Sequence, residues 1–416
     1  MFNDISSNIE THYIKKIIEI SMPYLAEVFS RGRLNEFLDE VSFLNEEGDT
    51  NVVVKKFTEI YLRFIKEDYQ RTYQGTNEEL ISFLGKKGDI KIIWGDCLNV
   101  LKGMKSESVH LMVTSPPYYN AREYSQWRNL NEYLDDMREI INEAYRVLDN
   151  HRVFVFNIGD IFDNDNLKTQ SVWGSRRIPL SAYFIKIFEE EGFTYVDDFI
   201  WDKGEVQSER HKNKPYPFYQ YPMNCYEHIL IFHKHRLDNT RYPCPVCGTL
   251  KVNGNTQSEI GLKSWECKNS ECFERSESNR GKRFSLKTIM TQGMQNDENI
   301  IPEEFIKKWR RDIVKFPPVI KINSKGENTL GHTAPFPENI PEFAIRMFSY
   351  KGEYVLDPFG GSFTSVIVAK KLERIGIGIE INKEMFRKAG IENIKRNIGE
   401  DIFSDKTVEI DEFDYE

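Results

Sequence analysis

Thr114-Ser115-Pro116-Pro117-Tyr118-Tyr119-Asn120 follows directly on the apolar run Val109-His110-Leu111-Met112-Val113. The run reads as a buried parallel strand. Two consecutive prolines stop it, because neither has an N–H to give to a ladder and each fixes its own φ. The chain is forced into a stiff, extended loop at the carboxyl end of a strand, where open α/β sheets place their ligands. That loop offers a hydroxyl, carbonyls outside any ladder and an aromatic face. Together they can grip a flat, amine-bearing ring.

Upstream, Ile92-Ile93-Trp94 reads as a strand ending at Gly95-Asp96-Cys97, before a short helix through Leu98 and Leu101. Downstream, 129–148 is an amphipathic helix, with Leu130, Leu134, Met137, Ile141, Ala144 and Leu148 at three- and four-residue steps. Asn129 and Glu132 open it with a capping-box pattern. Strand 153–157, helix 180–188, and strands 195–201 and 227–232 follow. After an irregular stretch the rhythm returns with helix 341–348, strand 354–356, helix 365–372 and strand 375–379. This alternation predicts an α/β fold built on a doubly wound, mostly parallel sheet.

The second loop is Asp357-Pro358-Phe359-Gly360-Gly361-Ser362-Phe363-Thr364, between strand 354–356 and its helix. Glycine lets backbone approach a ligand closely, and the helix start offers free N–H groups to a carboxylate. Glu380 ends the next strand nineteen residues past Gly361. An acid at about that distance is the ribose ligand of nucleoside-binding α/β folds.

The 114–118 loop resembles the catalytic TSPPY motif of the amino-methylating DNA methyltransferases, which use S-adenosylmethionine. Residues 95–98 resemble that family's GDCL segment, and 357–364 with 378–381 resemble its DPFxGSGTT and GIEI segments. The likeness spans roughly 89–235 and 331–385. Here the catalytic loop precedes the cofactor loop, a circularly permuted order that resembles the beta group, whose intervening region is the target-recognition domain. The resemblance implies a Rossmann-like methyltransferase fold, S-adenosyl-L-methionine as cofactor and double-stranded DNA as partner.

It also implies residue roles. Ser115, Pro116, Pro117 and Tyr118 would be catalytic, Ser115 and the Pro116 carbonyl holding the amine and Tyr118 stacking on an extruded base. Asp96 would accept from the adenine amino group of the cofactor. Thr114, Phe336, Asp357 and Phe359 would join the cofactor site, with Gly361, Ser362, Phe363, Thr364, Glu380 and Asn382. One position departs from the pattern: Phe363 stands where the family has glycine, so its ring either packs over the ligand or tilts the loop. Serine rather than aspartate at position 115 resembles the cytosine-N4 branch. Adenine-N6 methylation is the first alternative, and a non-catalytic DNA-binding protein on a methyltransferase scaffold is the second. RNA or protein methylation fits the large insert less well.

The 416 residues predict two or three units, with ordinary core content at 40% hydrophobic. The expected division is a helical region 1–88, a catalytic half 89–235, a target-recognition insert 236–330, a cofactor half 331–399 and an acidic, solvated tail 400–416. No run of eighteen apolar residues and no signal-like start are present, so a cytoplasmic protein is expected, with no membrane partner. The net charge of −9 hides a basic segment: 203–325 carries 22 Lys and Arg against 14 Asp and Glu, as a phosphate-binding face would. A companion restriction endonuclease is compatible with the resemblance. The residues decide neither that, nor the oligomeric state, nor the recognition sequence.

Within that segment, Cys244-x2-Cys247 and Cys267-x4-Cys272 form two cysteine knuckles. Their spacing is of the zinc-ribbon kind, and four thiolates suit tetrahedral structural zinc with no open position for catalysis. Arg275, Arg280, Lys282, Arg283 and Lys287 follow, suited to phosphate or base contact.

Overall fold

Apolar runs broken by Gly, Pro and Asp define the elements of the computed structural model. It describes residues 12–44, 49–73, 75–120, 126–162, 176–204, 224–236, 240–258, 261–272, 280–291, 299–319, 337–398 and 409–415. In chain order the first are helices α1 (His12–Val28), α2 (Arg31–Ser42), α3 (Thr50–Arg71) and α4 (Glu78–Leu84), strand β1 (Ile90–Trp94), helix α5 (Cys97–Gly103) and strand β2 (Val109–Thr114). Then come α6 (Leu130–Val147), β3 (Leu148–Ile158), the short pair β4 (Ile161–Phe162) and β5 (Arg177–Ile178), α7 (Leu180–Glu190), β6 (Phe193–Asp202) and β7 (Tyr226–Lys234). The next stretch holds β8 (Val252–Ser258), β9 (Gly261–Cys267), β10 (Arg283–Ser285), α8 (Leu286–Thr291), α9 (Glu303–Lys308) and β11 (Ile313–Lys315). Last are α10 (Asn339–Phe348), β12 (Tyr354–Asp357), α11 (Thr364–Lys371), β13 (Ile375–Glu380), α12 (Lys383–Ile398) and β14 (Asp411–Asp414).

Two compact units result, Tyr73–His235 with Ile301–Glu416, and Met1–Thr72 with Arg236–Ile300. The first is built on the sheet β11-β6-β7-β3-β2-β12-β13-β1-β14. Every neighbouring pair is parallel except those of β7, which runs against β3 and β6. The strand period of two puts alternate side chains on opposite faces. Met112 thus joins Val100, Met137, Phe156 and Phe184 on the side of α5, α6 and α7, whereas Leu111 and Val113 join Phe343, Ile345 and Val368 on the side of α10 and α11. The expected doubly wound, mostly parallel sheet is what forms. Helix starts follow their caps: Asp96 Oδ1 accepts from Asn99 N at 3.0 Å and Asn129 Oδ1 from Glu132 N at 3.0 Å.

The second unit pairs α1–α3 with the antiparallel sheet β10-β9-β8 that carries the cysteines. Leu250 lies in the helical core among Phe37, Phe57 and Tyr61, and its N–H donates to Ser21 Oγ at 3.0 Å. Arg241 lies over the Tyr24 ring at 4.9 Å.

The compact units divide the chain after Thr72, His235 and Ile300. Residues 1–72 cluster with the cysteine-bearing segment because each lends apolar side chains to the other, while 73–88 and 301–319 belong with the sheet. Within the acidic tail, residues 411–414 form edge strand β14, parallel to β1. Residues 399–408 lie outside the described residues.

Candidate active site

β2 and β12 are adjacent and parallel, so their carboxyl ends bring the proline loop and the glycine loop together. Thr114 Oγ1 donates to Asp357 Oδ1 at 2.5 Å, and Ser365 Oγ donates to Asp357 Oδ2 at 2.6 Å. Phe359 N completes the set at 3.1 Å on Oδ1. Burial raises the Asp357 pKa above the usual carboxylate range, and the Ser365 and Thr114 hydroxyls offset part of that. One carboxylate therefore ties the end of β2 to the first turn of α11. Its role is to fix the two loops relative to each other.

β13 lies beside β12 and ends at Glu380. Glu380 Oε2 accepts from Gly361 N at 3.0 Å and Oε1 from Asn382 N at 2.9 Å. Burial raises its pKa, and these two backbone donors work against the rise. Held from both sides, the carboxylate keeps lone pairs for a further donor. Asn393 Nδ2 of α12 donates to Ser362 O at 2.8 Å, and Ser362 Oγ pairs with Thr364 Oγ1 at 3.1 Å. Asp96 sits at the end of β1, where Gly95 N donates to Glu380 O at 3.0 Å. Asp96, Asp357, Gly361 and Glu380 are thus gathered along three neighbouring strand ends.

In the proline loop Pro116 is buried and Tyr133 Oη of α6 donates to Pro117 O at 3.0 Å. Tyr118 Oη donates to Glu227 Oε2 at 2.9 Å. Burial, then the Glu227 charge, drives the Tyr118 pKa well above that of a free phenol. Asn120 takes φ 45° and its amide holds both Trp127 N at 2.7 Å and Trp127 O at 2.9 Å. The loop is therefore pinned at each end.

Phe363 is the N-cap of α11. Its ring is fully buried in a cluster with Ile92, Trp94, Val366 and Ile394, and Asn393 and Glu380 hold the loop. Phe336 and Arg275 lie outside the described residues. Arg280, Arg283 and Lys287 are exposed, and Arg283 Nε lies 3.7 Å from Glu266.

Cys244, Cys247, Cys267 and Cys272 are all buried, with their sulfur atoms within 4.8 Å of one another. Cys247 Sγ and Cys267 Sγ are 3.7 Å apart, far beyond a disulfide bond. A tetrahedron with Zn–S bonds of about 2.3 Å has edges of about 3.8 Å, so the donors present fit such an ion. Thr249 Oγ1 at 3.3 Å and Asn269 Nδ2 at 3.6 Å add polar contacts to Cys247 Sγ.

Two residues at the site were missed from the sequence. Glu227 is the second residue of β7 and Lys203 follows β6, and their 2.9 Å ion pair stands next to Tyr118. No spacing rule joins them to the proline loop. Only the reversed strand β7 brings them to its edge.

Residues 109–390 match the family model N6_N4_Mtase, described as DNA methylase. That span is well over half of the chain, and the chain belongs to this family of DNA methylases with the Rossmann-like methyltransferase fold. Among its relatives is the Type II beta methyltransferase M.BslI of Bacillus sp. (strain NEB-606), 42% identical over 298 residues, covering 71% of this chain and 26% of that protein. This chain thus aligns with about a quarter of M.BslI. The Type II methyltransferase M.MjaI of Methanocaldococcus jannaschii is 27% identical over 333 residues, covering 71% of this chain and 88% of that one. Among solved structures, the PvuII DNA methyltransferase (cytosine-N4-specific) is 21% identical with TM-score 0.45, covering 76% of this chain and 93% of that one.

Proposed function

We propose that this chain transfers the methyl group of S-adenosyl-L-methionine to the exocyclic N4 of a cytosine flipped out of double-stranded DNA. The observation that carries the reading is the Thr114–Asp357 hydrogen bond, which couples the proline loop to the glycine loop at one sheet edge. Glu380 and Asp96 would hold the ribose and adenine of the cofactor, with the N–H groups at the start of α11 toward its carboxylate. When bound, that cofactor supplies an electrophilic methyl group on sulfur. Ser115 Oγ and the Pro116 carbonyl would accept the two amine hydrogens, which frees the nitrogen lone pair from the ring. Tyr118 would stack on the extruded base in place of its lost neighbours. Positioning then accounts for most of the acceleration.

Cytosine is favoured over adenine by Ser115, through the resemblance of a serine loop to the N4 branch. The circularly permuted order makes 236–330 the target-recognition region of this reading, and its unit recruits 1–72 as well. The four cysteines would hold a structural zinc ion there, with Arg280, Lys282, Arg283 and Lys287 toward phosphate or base. A companion endonuclease of the same specificity is the partner proposed. Among the described residues no helix is long and apolar enough to cross a membrane.

The test is transfer of tritiated methyl from S-adenosyl-L-methionine to duplex DNA, followed by digestion to nucleosides. Label in N4-methylcytosine, lost in Ser115→Ala, is the expected result. Label in N6-methyladenine would overturn the base assignment, and no label with wild type would leave only the DNA-binding scaffold.

A further inference from the structure

Methylating a neutral amine leaves a proton to be removed. The amine lone pair forms the N–CH3 bond, the S–CH3 bond breaks with its electron pair on sulfur, and the nitrogen becomes cationic until it loses a hydrogen. In the proposed reaction Ser115 receives that hydrogen, but a serine hydroxyl is a poor final acceptor. The structure continues the path beyond it. Ser115 interacts with the Tyr118 phenol and favours its ionised form, and Tyr118 Oη donates to Glu227 Oε2 at 2.9 Å. Lys203 Nζ holds the other carboxylate oxygen at 2.9 Å. The side chains of Lys203 and Glu227 are only 16% and 15% exposed, so bulk water has little access to the end of the chain.

The geometry of β7 explains why the carboxylate is there. The antiparallel register pairs Ile158 with His228, which sets Glu227 opposite Gly159. A Cβ on Gly159 would lie 3.0 Å from Glu227 Cγ and 3.3 Å from Tyr118 Cε2. Glycine at the end of β3 therefore leaves the space in which Tyr118 and Glu227 meet.

We propose that Glu227 is the proton acceptor for methyl transfer, reached from the substrate amine through Ser115 and Tyr118, with Lys203 holding it in place. The amine proton passes to Ser115 Oγ, the Ser115 proton to Tyr118 Oη, and the Tyr118 proton to Glu227 Oε2. Each hydroxyl gains one hydrogen and loses one, and neither phenolate nor alkoxide forms. Glu227 touches no substrate, so it is a positioning residue for the two hydroxyls as well as the end of the path. The inference rests on amino-methyl transfer as the activity and concerns how that site disposes of its proton.

The test uses the full chain, a duplex that wild type methylates, and single-turnover transfer of labelled methyl. Wild-type transfer in the same assay establishes the activity whatever the variants do. Glu227→Gln keeps the shape and an acceptor for Tyr118 but cannot take a proton. It should slow transfer about 100-fold or more, with cofactor and DNA affinities within about threefold of wild type. Tyr118→Phe keeps the stacking face and should lose a similar factor, and the double variant should be no slower than the worse single one. Glu227→Asp should recover part of the rate. The inference falls if Glu227→Gln transfers at the wild-type rate, or if the two losses multiply. It also falls if either variant acts by abolishing the fluorescence rise of a 2-aminopurine placed beside the target base, since that reports flipping rather than proton removal.

Discussion

Phe363 takes φ 59°, a left-handed conformation that costs a side-chain-bearing residue about 1–2 kcal/mol. Fully burying a phenylalanine returns about 1.5–3 kcal/mol, so the ring can offset the strain it brings. It does so because three glycines make room. A Cβ on Gly360, Gly378 or Gly390 would approach ring atoms to 2.7, 2.8 and 2.6 Å, and Trp94 closes the remaining side edge-on at 5.6 Å. Gly390→Ala should therefore overpack the niche. We expect a stability loss of about 1–3 kcal/mol by urea unfolding, together with weaker cofactor binding by calorimetry, since Phe363 leads directly into the first turn of α11. Unchanged stability would mean the ring has room to yield. The departure at 363 was legible in the sequence and its compensation was not, because the glycines come from a loop, a strand and a helix.

At the scale of elements, β14 shows what composition conceals. Glu412 accepts from Arg387 Nε at 2.7 Å and from Trp94 Nε1 at 2.9 Å, and Asp414 accepts from Lys383 Nζ at 2.6 Å. Phe413 stacks on Phe83 at 5.1 Å, and Tyr415 N donates to Trp94 O at 2.9 Å. Counting acids in the tail predicted a solvated segment, but their cationic partners lie on α12 and could not be seen along the chain. The Arg387 hydrogen bond holds the Glu412 pKa below the usual range against the opposing effect of burial. A depressed acid contributes stability above its unfolded pKa and loses it as pH falls through the folded value, so this contact weakens only in acid. Exposed ion pairs contribute about 0–1 kcal/mol each, which leaves strand pairing and the Phe83 contact as the main anchors. Because β14 buttresses β1, whose end carries Asp96, a chain ending at residue 408 should bind S-adenosyl-L-methionine about tenfold more weakly. Methyl transfer at saturating cofactor should persist. Equal affinity in the truncated chain would show that β14 only covers the sheet edge.

Across the whole molecule, the sheet and the meeting of the two loops at its edge followed from local patterns. Apolar runs, proline stops and the acid after the glycine loop each declare themselves within a few residues. The partner of α1–α3 did not. Helical periodicity says that Phe37, Phe57 and Tyr61 face something apolar, and nothing in it says that Leu250 completes their core. That link joins the cysteine-bearing segment to the helical core. If a metal organises β8–β10, its removal should loosen α1–α3 as well, because the loop from Cys244 to Leu250 carries both. Metal analysis of the reduced protein should find about one equivalent of zinc. Stripping it with a strong chelator, or Cys244→Ser with Cys267→Ser, should open 12–72 to limited proteolysis and abolish DNA binding. Affinity for S-adenosyl-L-methionine should stay within about twofold, since every group proposed to hold it belongs to the other unit. Helices that resist protease after the metal is gone would show that their core stands without it, and the zinc would then serve the hairpin alone.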